Sequence, residues 1–373
     1  MNILFITHHY LTGNSGGTFA SRAYINAFAE IADEMTLLYP VREGQNLFAE
    51  INPKIKAFPV AYNIPKWRKL MNSITGHVHR YYEAVCDFLT ERKTDIVVFD
   101  TSVVTYKLIS QFKVMGYKTV VIHHNYQYEY FRDNSHGPLK WVTLFWCKKY
   151  ESEAVREADI NLTLTSQDVE LLANNYNDGD KSNFKVLGTF EYYRKPLKPI
   201  TDGANQNRFV ITGSLSSMQT YLSLESWIRG YYPLLKSIFP ESTLTVAGKN
   251  PSTELVKLCQ SQGIRIIASP PNMDDILCEA DYYICPTSLG GGLKLRIMDG
   301  LQWGLPVVTH AVSARGYDSF RDAGCLFSYS NKEEFVEAIE HLNSMNFGKK
   351  QVQMLYNSIF SFDAGVERLK SIL

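Results

Sequence analysis

The sequence predicts an α/β protein built from two Rossmann-like domains that face each other across a cleft. Short apolar runs alternate with amphipathic helical patterns, and this alternation occurs in each half of the 373-residue chain. Parallel strands that are joined by right-handed helical crossovers give one doubly wound sheet per half. A chain of this length has room for two domains, each with its own core.

In the first half, the predicted strands are Asn2–Thr7, Met35–Tyr39, Asp95–Phe99, Lys118–Ile122 and Asp159–Leu164, with helical patterns at 18–32, 66–92, 102–115, 138–157 and 166–176. In the second half, they are Arg208–Thr212, Ser242–Ala247, Ile264–Ala268, Asp281–Cys285 and Pro306–Thr309, with helical patterns at 218–239, 252–262, 272–279, 293–303 and 331–345. A polar, proline-containing stretch predicts a linker at 188–207, between an N-terminal domain (1–187) and a C-terminal domain (208–347). We expect the last segment, 348–373, to form one C-terminal helix that packs back toward the N-terminal domain.

Composition and charge exclude several classes of function. Lys and Arg total 38, and so do Asp and Glu, so the chain lacks the basic surplus typical of dedicated nucleic-acid binding. None of the six cysteines forms a C-x-x-C pair, which disfavours a zinc knuckle or a redox motif. The sequence shows no signal-peptide pattern and no apolar run of about 20 residues, so we expect a cytoplasmic location.

Distinctive polar residues and glycines follow the predicted strands at the points where they end. In the first half these are His8, His9, Asp100 and the run His123-His124-Asn125, and in the second half they are Gly213-Ser214, Gly248-Lys249-Asn250 and Ser288–Gly292. Ligands of open α/β sheets bind outside the carboxyl ends of the strands. This recurrence predicts a ligand site at that edge.

The strongest motif is Pro286–Asp299, in which Gly290, Gly291 and Gly292 precede a predicted helix. Bare backbone N–H groups at the start of a helix attract phosphate. Arg296 lies one turn into the helix and adds positive charge, and Asp299 is placed to accept hydrogen bonds from ribose hydroxyls. The alternative is a tight turn before a surface-charged helix.

This block resembles the donor site of glycosyltransferase family 4 (group 1), whose members have the GT-B fold. Many members carry two glutamates separated by seven residues, and those positions are Gly291 and Asp299 here. In the family the first glutamate contacts the donor sugar and the second contacts the ribose. A branch of the family that reads Gly-Gly-Gly before the helix also lacks the first glutamate, and this chain is similar to that branch.

The resemblance implies roles for further residues in both halves. On the donor side it implies Gly17, Gly213, Ser214, Lys249, Asn250, Gly290, Gly291, Gly292, Arg296 and Asp299, and on the acceptor side Gly16, His9 and Asn125. It places His124 near the transferred sugar, where a histidine donates a hydrogen bond or holds a proton. Asp100 is either a general base, for an inverting reaction, or a helix N-cap. With Arg296, these two residues form the candidate catalytic set.

The resemblance implies a hexosyltransferase-like enzyme that moves a sugar from a UDP or GDP sugar to a hydroxyl of a glycan or lipid-linked acceptor. We expect retention of configuration, no cofactor and no essential metal ion, in surface polysaccharide or glycoconjugate biosynthesis. Two alternatives stay open. One is a GT-B sugar-nucleotide epimerase or hydrolase, and the other is a non-catalytic nucleotide-sugar-binding partner of a transferase complex.

A membrane-facing stretch is a further expectation from the residues. The segment 64–82 contains Lys66, Arg68, Lys69 and Arg80 together with Trp67, and it has no Asp or Glu. Basic, aromatic helices lie on anionic membrane surfaces, and Lys140–Lys149 has the same character. The protein is then cytoplasmic or peripheral on the inner face of the plasma membrane. The alternative for both stretches is a solvated helix face.

Overall fold

The structure is a computed structural model that describes residues 1–373 except 14, 42–46, 62–64, 66, 68–70, 72–93, 136, 138–139, 201–204, 291, 344 and 346–347. The chain divides into two compact units. Unit 1 comprises Met1–Lys195 with Ser361–Leu373, and unit 2 comprises Pro196–Phe360. Each unit is described by itself below.

Unit 1 contains a parallel sheet with the strand order β3-β2-β1-β4-β5-β6-β7, counted over the described residues. Its strands are β1 (Asn2–Thr7), β2 (Glu34–Val41), β3 (Ile55–Ala61), β4 (Ile96–Asp100), β5 (Lys118–His123), β6 (Ile160–Thr163) and β7 (Phe184–Val186). Its helices are α1 (Gly16–Ile31), α2 (Ile109–Val114), α3 (Gln127–Asn134), α4 (Lys140–Glu157), α5 (Ser166–Tyr176) and the C-terminal α14 (Phe362–Ile372), and a 3-10 turn spans Ser102–Val104.

The central strands of unit 1 position the candidate site. β4 is buried along its whole length, and β1 and β5 are buried except at their first residues, as expected for a parallel sheet covered on both faces. β1 pairs with β4 so that Thr7 lies opposite Asp100, and β5 pairs with β4 on its other side. The carboxyl ends of these three strands therefore bring their following residues to one edge.

Unit 2 contains a second parallel sheet, with the order β10-β9-β8-β11-β12-β13 over the described residues. Its strands are β8 (Arg208–Ser214), β9 (Thr243–Lys249), β10 (Arg265–Ala268), β11 (Tyr282–Cys285), β12 (Val307–His310) and β13 (Leu326–Tyr329). Its helices are α6 (Met218–Gly230), α7 (Tyr232–Ile238), α8 (Thr253–Ser261), α9 (Asp274–Leu277), α10 (Arg296–Gln302), α11 (Asp318–Asp322), α12 (Lys332–Asn343) and α13 (Lys349–Phe360). Gly213 and Gly248 lie opposite each other where β8 and β9 end.

The predicted fold class, two parallel sheets covered by helices, is confirmed, and every predicted strand is present. The three strands that the sequence pattern missed, β3, β7 and β13, all lie at sheet edges. Edge strands are short or one-sided, so their apolar pattern is weak, and β3 also contains Pro59, which an edge tolerates. Two predicted helices differ. The pattern at 218–239 divides at Tyr231 into α6 and α7, and the pattern at 102–115 divides into the 3-10 turn and α2.

Two predicted segments, the helix at 66–92 and the basic stretch 64–82, lie mostly outside the described residues. Within them, Trp67 and Met71 are described, and both side chains are exposed. None of the helices that the structure describes is long and apolar enough to cross a membrane. The described cysteines are free thiols.

The C-terminal segment contains two helices that belong to different units. α13 lies in unit 2, whereas α14 lies in unit 1 and packs along α1. Gly365 of α14 packs directly against the buried ring of Phe190. A Cβ atom added at Gly365 would be 2.1 Å from that ring. Arg368 of α14 also donates hydrogen bonds to the backbone carbonyls of Leu187 and Thr189. Gly365 is therefore a close-packing position.

We predict that Gly365→Ala destabilises the protein by roughly 1–3 kcal/mol, because overpacking at Phe190 outweighs the gain in helix propensity. The midpoint of thermal or urea unfolding measures this change. Gly348→Ala is the matched control, because its new methyl group would meet only the Gln351 side chain, at 3.8 Å. Equal stability of both variants would contradict the packing assignment.

Candidate functional site

The carboxyl edge of the unit 1 sheet centres on the buried carboxylate of Asp100, which is 0% exposed. Thr7 Oγ1 and Ser21 Oγ donate to its Oδ2 atom at 2.5 Å and 2.6 Å. His124 Nε2 lies 2.6 Å from Oδ1. Desolvation raises the pKa of this carboxyl group, but His124 and the other hydrogen-bond donors outweigh it and hold the pKa well below its usual range.

These contacts bear on the two roles that the sequence left open for Asp100. Both of its oxygens already accept hydrogen bonds, and the side chain has no exposed surface. The 3-10 turn that follows has Thr101 at its N-cap and no side-chain capping hydrogen bond. The geometry favours neither a general base in contact with substrate nor an N-cap. The 2.6 Å contact instead lets Asp100 hold the His124 ring in one orientation.

His124 lies among aromatic neighbours in unit 1. Its ring stacks on His9, with centroids 5.2 Å apart, and meets the edge of Tyr24 at 5.7 Å. His9 lies against Gly17, where a Cβ atom would be 2.8 Å from the imidazole Cε1. Gly17 therefore has a packing reason to be glycine, which is to make room for the His9 ring.

The remaining histidines at this edge are held neutral by burial. Desolvation lowers the pKa of His8 to about 3, and it lowers the pKa of His9 and of His123 to about 4. His123 is buried in the core and bonds to Asn161 Oδ1 at 2.9 Å. His8 Nδ1 bonds to Thr101 Oγ1 at 3.1 Å.

Several buried polar atoms at this edge have no hydrogen-bond partner among the residues that the structure describes. They include one atom from each of three predicted site residues, His9 Nε2, His124 Nδ1 and Asn125 Oδ1, as well as His123 Nδ1, Ser102 Oγ and Gln127 Oε1. Buried polar atoms are nearly always paired in folded proteins, so a cluster of unpaired ones indicates a site for a polar ligand. All three residues were predicted for the site from the sequence. Gly16, predicted beside them, is exposed at the first position of α1.

One set of possible metal ligands is present at this edge. One atom each from His9, Asp100 and His124 lie within 4.8 Å of one another. Asp100 and His124 are bonded to each other, and Asp100 also accepts from Thr7 and Ser21, so both carboxylate oxygens already have partners. The sequence contains one Asp-x-Asp triplet, Asp178-Gly179-Asp180. It forms a turn after α5, where the Asp180 carboxylate accepts from Ser182.

Sequence reasoning missed a buried carboxyl group that supports this edge. Glu151 of α4 accepts hydrogen bonds from the backbone N–H groups of Gln127 and Tyr128 and from Tyr176 Oη. Burial raises its pKa to about 8. The contacts fix the start of α3, directly after His124 and Asn125. No local pattern signals this role, because Glu151 is 24 residues from Gln127 in sequence.

In unit 2, the guanidinium group of Arg296 lies over Gly213 at the end of β8. A Cβ atom at Gly213 would be 2.6 Å from Arg296 Nη1. Both terminal nitrogens donate to Thr220 Oγ1, at 3.3 Å and 3.2 Å, and Nη1 also donates to Thr287 Oγ1 at 3.4 Å. The predicted residues Gly213 and Arg296 are thus brought together, and only a residue without a side chain fits beneath the guanidinium group.

The glycine loop follows β11 in unit 2. Gly290 and Gly292 have φ values of 80° and 73°, in the left-handed region that favours glycine, and Gly291 lies outside the described residues. Lys294, which the sequence analysis left aside, turns back so that its Nζ atom donates to Gly290 O at 3.2 Å. Burial and the neighbouring Arg296 and Arg315 lower its pKa to about 8. The loop therefore carries two cations, Lys294 and Arg296.

The structure changes the physical basis of the predicted phosphate site. α10 begins at Arg296, is seven residues long and has no side-chain cap at Leu295. Such a short helix has a small dipole, so the positive field at the loop comes mainly from Lys294 and Arg296. Asp299 is exposed on the first turn of α10.

The other donor-side predictions lie where β8 and β9 end. Ser214, Lys249 and Asn250 are all exposed, and Leu215 donates a backbone hydrogen bond to Lys249 O. Asn250 has a φ of 50°, and its N–H donates to Ser269 Oγ at 3.2 Å. The polar side chains at this end of the sheet are therefore accessible to a ligand.

Comparisons with known proteins agree with this arrangement. Residues 206–344 match the model of the family described as Glycosyl transferases group 1. Among curated protein sequences, none matches this chain.

Solved structures resemble the whole chain in fold. They include a lipopolysaccharide outer core galactosyltransferase, WaaB (TM-score 0.67, 13% identity, covering 100% of this chain and 99% of that one). The HepE protein of Anabaena in complex with UDP has a TM-score of 0.66 at 13% identity, with 100% and 99% coverage. A sucrose-phosphate synthase from Thermosynechococcus elongatus has a TM-score of 0.67 at 12% identity, with 100% and 98% coverage.

At these identities the structural likeness establishes the fold, which is the GT-B fold of glycosyltransferases. The family match covers most of unit 2, including Gly213, Lys294 and Arg296. Residues 206–344 are therefore a group 1 glycosyl transferase domain, and the chain is a glycosyltransferase with the GT-B fold.

Proposed function

We propose that the protein transfers a sugar from a UDP or GDP sugar to a hydroxyl group of a glycan or lipid-linked acceptor. The observation that carries this proposal is the pair of cations, Lys294 and Arg296, on the glycine loop of the group 1 domain. The structural neighbour from Anabaena was solved with UDP and with UDP-glucose, which supports a uridine nucleotide donor.

In this proposal, unit 2 holds the donor through its diphosphate. Negative charge develops on the leaving nucleoside diphosphate as the glycosidic bond breaks, and fixed cations stabilise that charge. Thr220 and Thr287 hold the guanidinium group of Arg296 in one orientation, which limits the reorganisation that donor binding requires. Asn250 and Asp299 then orient the nucleoside and the ribose from exposed positions.

Unit 1 supplies a hydrogen-bonding group that is fixed in direction. We assign the imidazole proton of His124 to Nε2, where it donates to Asp100 Oδ1, so that Nδ1, the atom that has no described partner, presents a lone pair. That lone pair can accept a hydrogen bond from a sugar hydroxyl or from the acceptor hydroxyl. His9 and Asn125 add two further polar atoms beside it.

We also propose that the reaction retains the configuration of the sugar, needs no divalent ion or cofactor, and serves surface polysaccharide or glycoconjugate biosynthesis. We further propose that the protein is cytoplasmic and contacts the membrane through 64–82. The resemblance to family 4 supports the first three. The basic and aromatic composition of 64–82 supports the last.

We predict that one nucleoside diphosphate among UDP, GDP and ADP raises the unfolding midpoint of the full chain. A ligand at a hundred times its dissociation constant adds about 2.7 kcal/mol to the free energy of unfolding. Differential scanning fluorimetry with and without EDTA makes the measurement, and CMP serves as a control without a diphosphate. A shift that EDTA abolishes would contradict metal-independent binding, and no shift from any diphosphate would contradict the loop assignment.

We predict that Arg296→Ala lowers kcat/KM for sugar transfer by on the order of 10²- to 10³-fold, because the leaving diphosphate loses a fixed cation. Release of the nucleoside diphosphate from the donor measures the rate. The control is Arg229→Ala, which removes an exposed arginine that pairs with Glu225 on α6. Wild-type turnover by Arg296→Ala, with its unfolding midpoint unchanged, would rule out the proposed role.

We predict that Asp100→Asn lowers kcat by on the order of 10²-fold, because an amide at this position no longer selects the His124 tautomer. The same variant should keep the nucleotide-induced shift in unfolding midpoint, because the proposed nucleotide contacts lie in unit 2. Asp322→Asn, an exchange at an exposed carboxylate, is the control. Unaltered kcat in Asp100→Asn would show that the Asp100–His124 contact is only structural.

A further inference from the structure

Helix α4 exposes large apolar side chains on one face of its first half. Trp141 is 77% exposed and Phe145 is 62% exposed. At 3.6 residues per turn, Trp141, Phe145, Lys148 and Lys149 lie on the same side of the helix. Leu144, Cys147 and Tyr150 lie on the other side and are buried. The exposed group, together with Val142, is called the α4 face below.

The α4 face is basic in a chain that carries no net charge. Its cations are Lys148 and Lys149, and residues 137–150 contain no Asp or Glu. Within the described part of the chain, neither of these two lysines forms an ion pair. Lys149 instead lies over the rings of Tyr106 and Trp146, at 5.6 Å and 5.3 Å from their centroids. The positive charge is therefore available to an anionic partner.

The combination of residues distinguishes between kinds of partner. Protein–protein interfaces are depleted in lysine at their centres, whereas here lysines flank two exposed aromatic rings directly. Tryptophan is enriched at membrane interfaces, where its ring lies at the level of the lipid headgroups. Helices with lysines beside Trp and Phe bind anionic bilayers through both charge and apolar burial. Charge complementarity thus favours a lipid surface.

We propose that the α4 face docks onto the surface of an anionic lipid membrane, with Trp141 and Phe145 inserted at headgroup level and the lysines on lipid phosphates. This contact is distinct from the 64–82 stretch, and it does not depend on which sugar or acceptor the enzyme uses.

Vesicle flotation of the full chain tests the proposal. The protein should float with vesicles of phosphatidylcholine and phosphatidylglycerol and should stay behind with phosphatidylcholine alone, and high salt should weaken binding. The double variant K148Q/K149Q should partition about 30-fold more weakly, equivalent to about 1 kcal/mol for each lysine. The double variant W141A/F145A should lose binding by on the order of tenfold or more.

The matched control is the double variant M354A/K257Q, which removes one exposed apolar side chain and one exposed lysine from unit 2. It should bind vesicles like the wild type. All variants should keep the wild-type unfolding midpoint and nucleotide response, which separates this inference from the proposed reaction.

Three results would overturn the proposal. They are absence of flotation, equal binding to neutral and anionic vesicles, and equal loss of binding in the control variant. Light scattering supplies a fourth result that would overturn it. If W141A/F145A converts an oligomer to a monomer while vesicle binding persists, the face joins two copies of the chain and does not contact lipid.

Discussion

The buried carboxylate of Asp100 is the constraint on which the unit 1 edge depends. A buried charge is costly unless it is paired and hydrogen-bonded. Three side chains form hydrogen bonds with this carboxylate: Thr7 on β1, Ser21 on α1 and His124, which follows β5. Each donor is held in place by the same contact that stabilises the charge. The charge therefore ties three elements together and fixes the direction of the His124 ring.

In unit 2, uncharged groups hold a cation in a fixed orientation. Arg296 is bonded to hydroxyl groups of Thr220 and Thr287, which orient the guanidinium group but carry no charge. Glycines at the ends of β8 and β9 leave space for this guanidinium group and for close approach of the two backbones. A Cβ atom at Gly248 would lie 1.8 Å from Gly213 O, and one at Gly213 would meet Arg296. The glycines at the ends of β8 and β9 are thus required by packing as well as by access for a ligand.

The sequence predicted the strands of both sheet centres, because central parallel strands are continuously apolar. It also placed His124 and Asp100 at the ends of strands, as observed. Arg296 was predicted one turn into a helix that begins at 293, whereas it is the first residue of α10. The sequence could not predict which groups bond to each other. Asp100 looked like a free carboxylate because its partners lie 24, 79 and 93 residues away. Lys294 was not among the predicted site residues, because the sequence does not show that its side chain turns back onto its own loop.

The two units therefore divide the chemistry by charge. In unit 1 the Asp100 carboxylate is fully buried, while His9 Nε2, His124 Nδ1 and Asn125 Oδ1 have no hydrogen-bond partner among the described residues. In unit 2 two basic residues, Lys294 and Arg296, follow the glycine loop. A leaving diphosphate gains negative charge during glycosyl transfer, and fixed cations stabilise such charge. Burial lets the Asp100 carboxylate orient the His124 ring without presenting a negative charge to a ligand at the edge of unit 1.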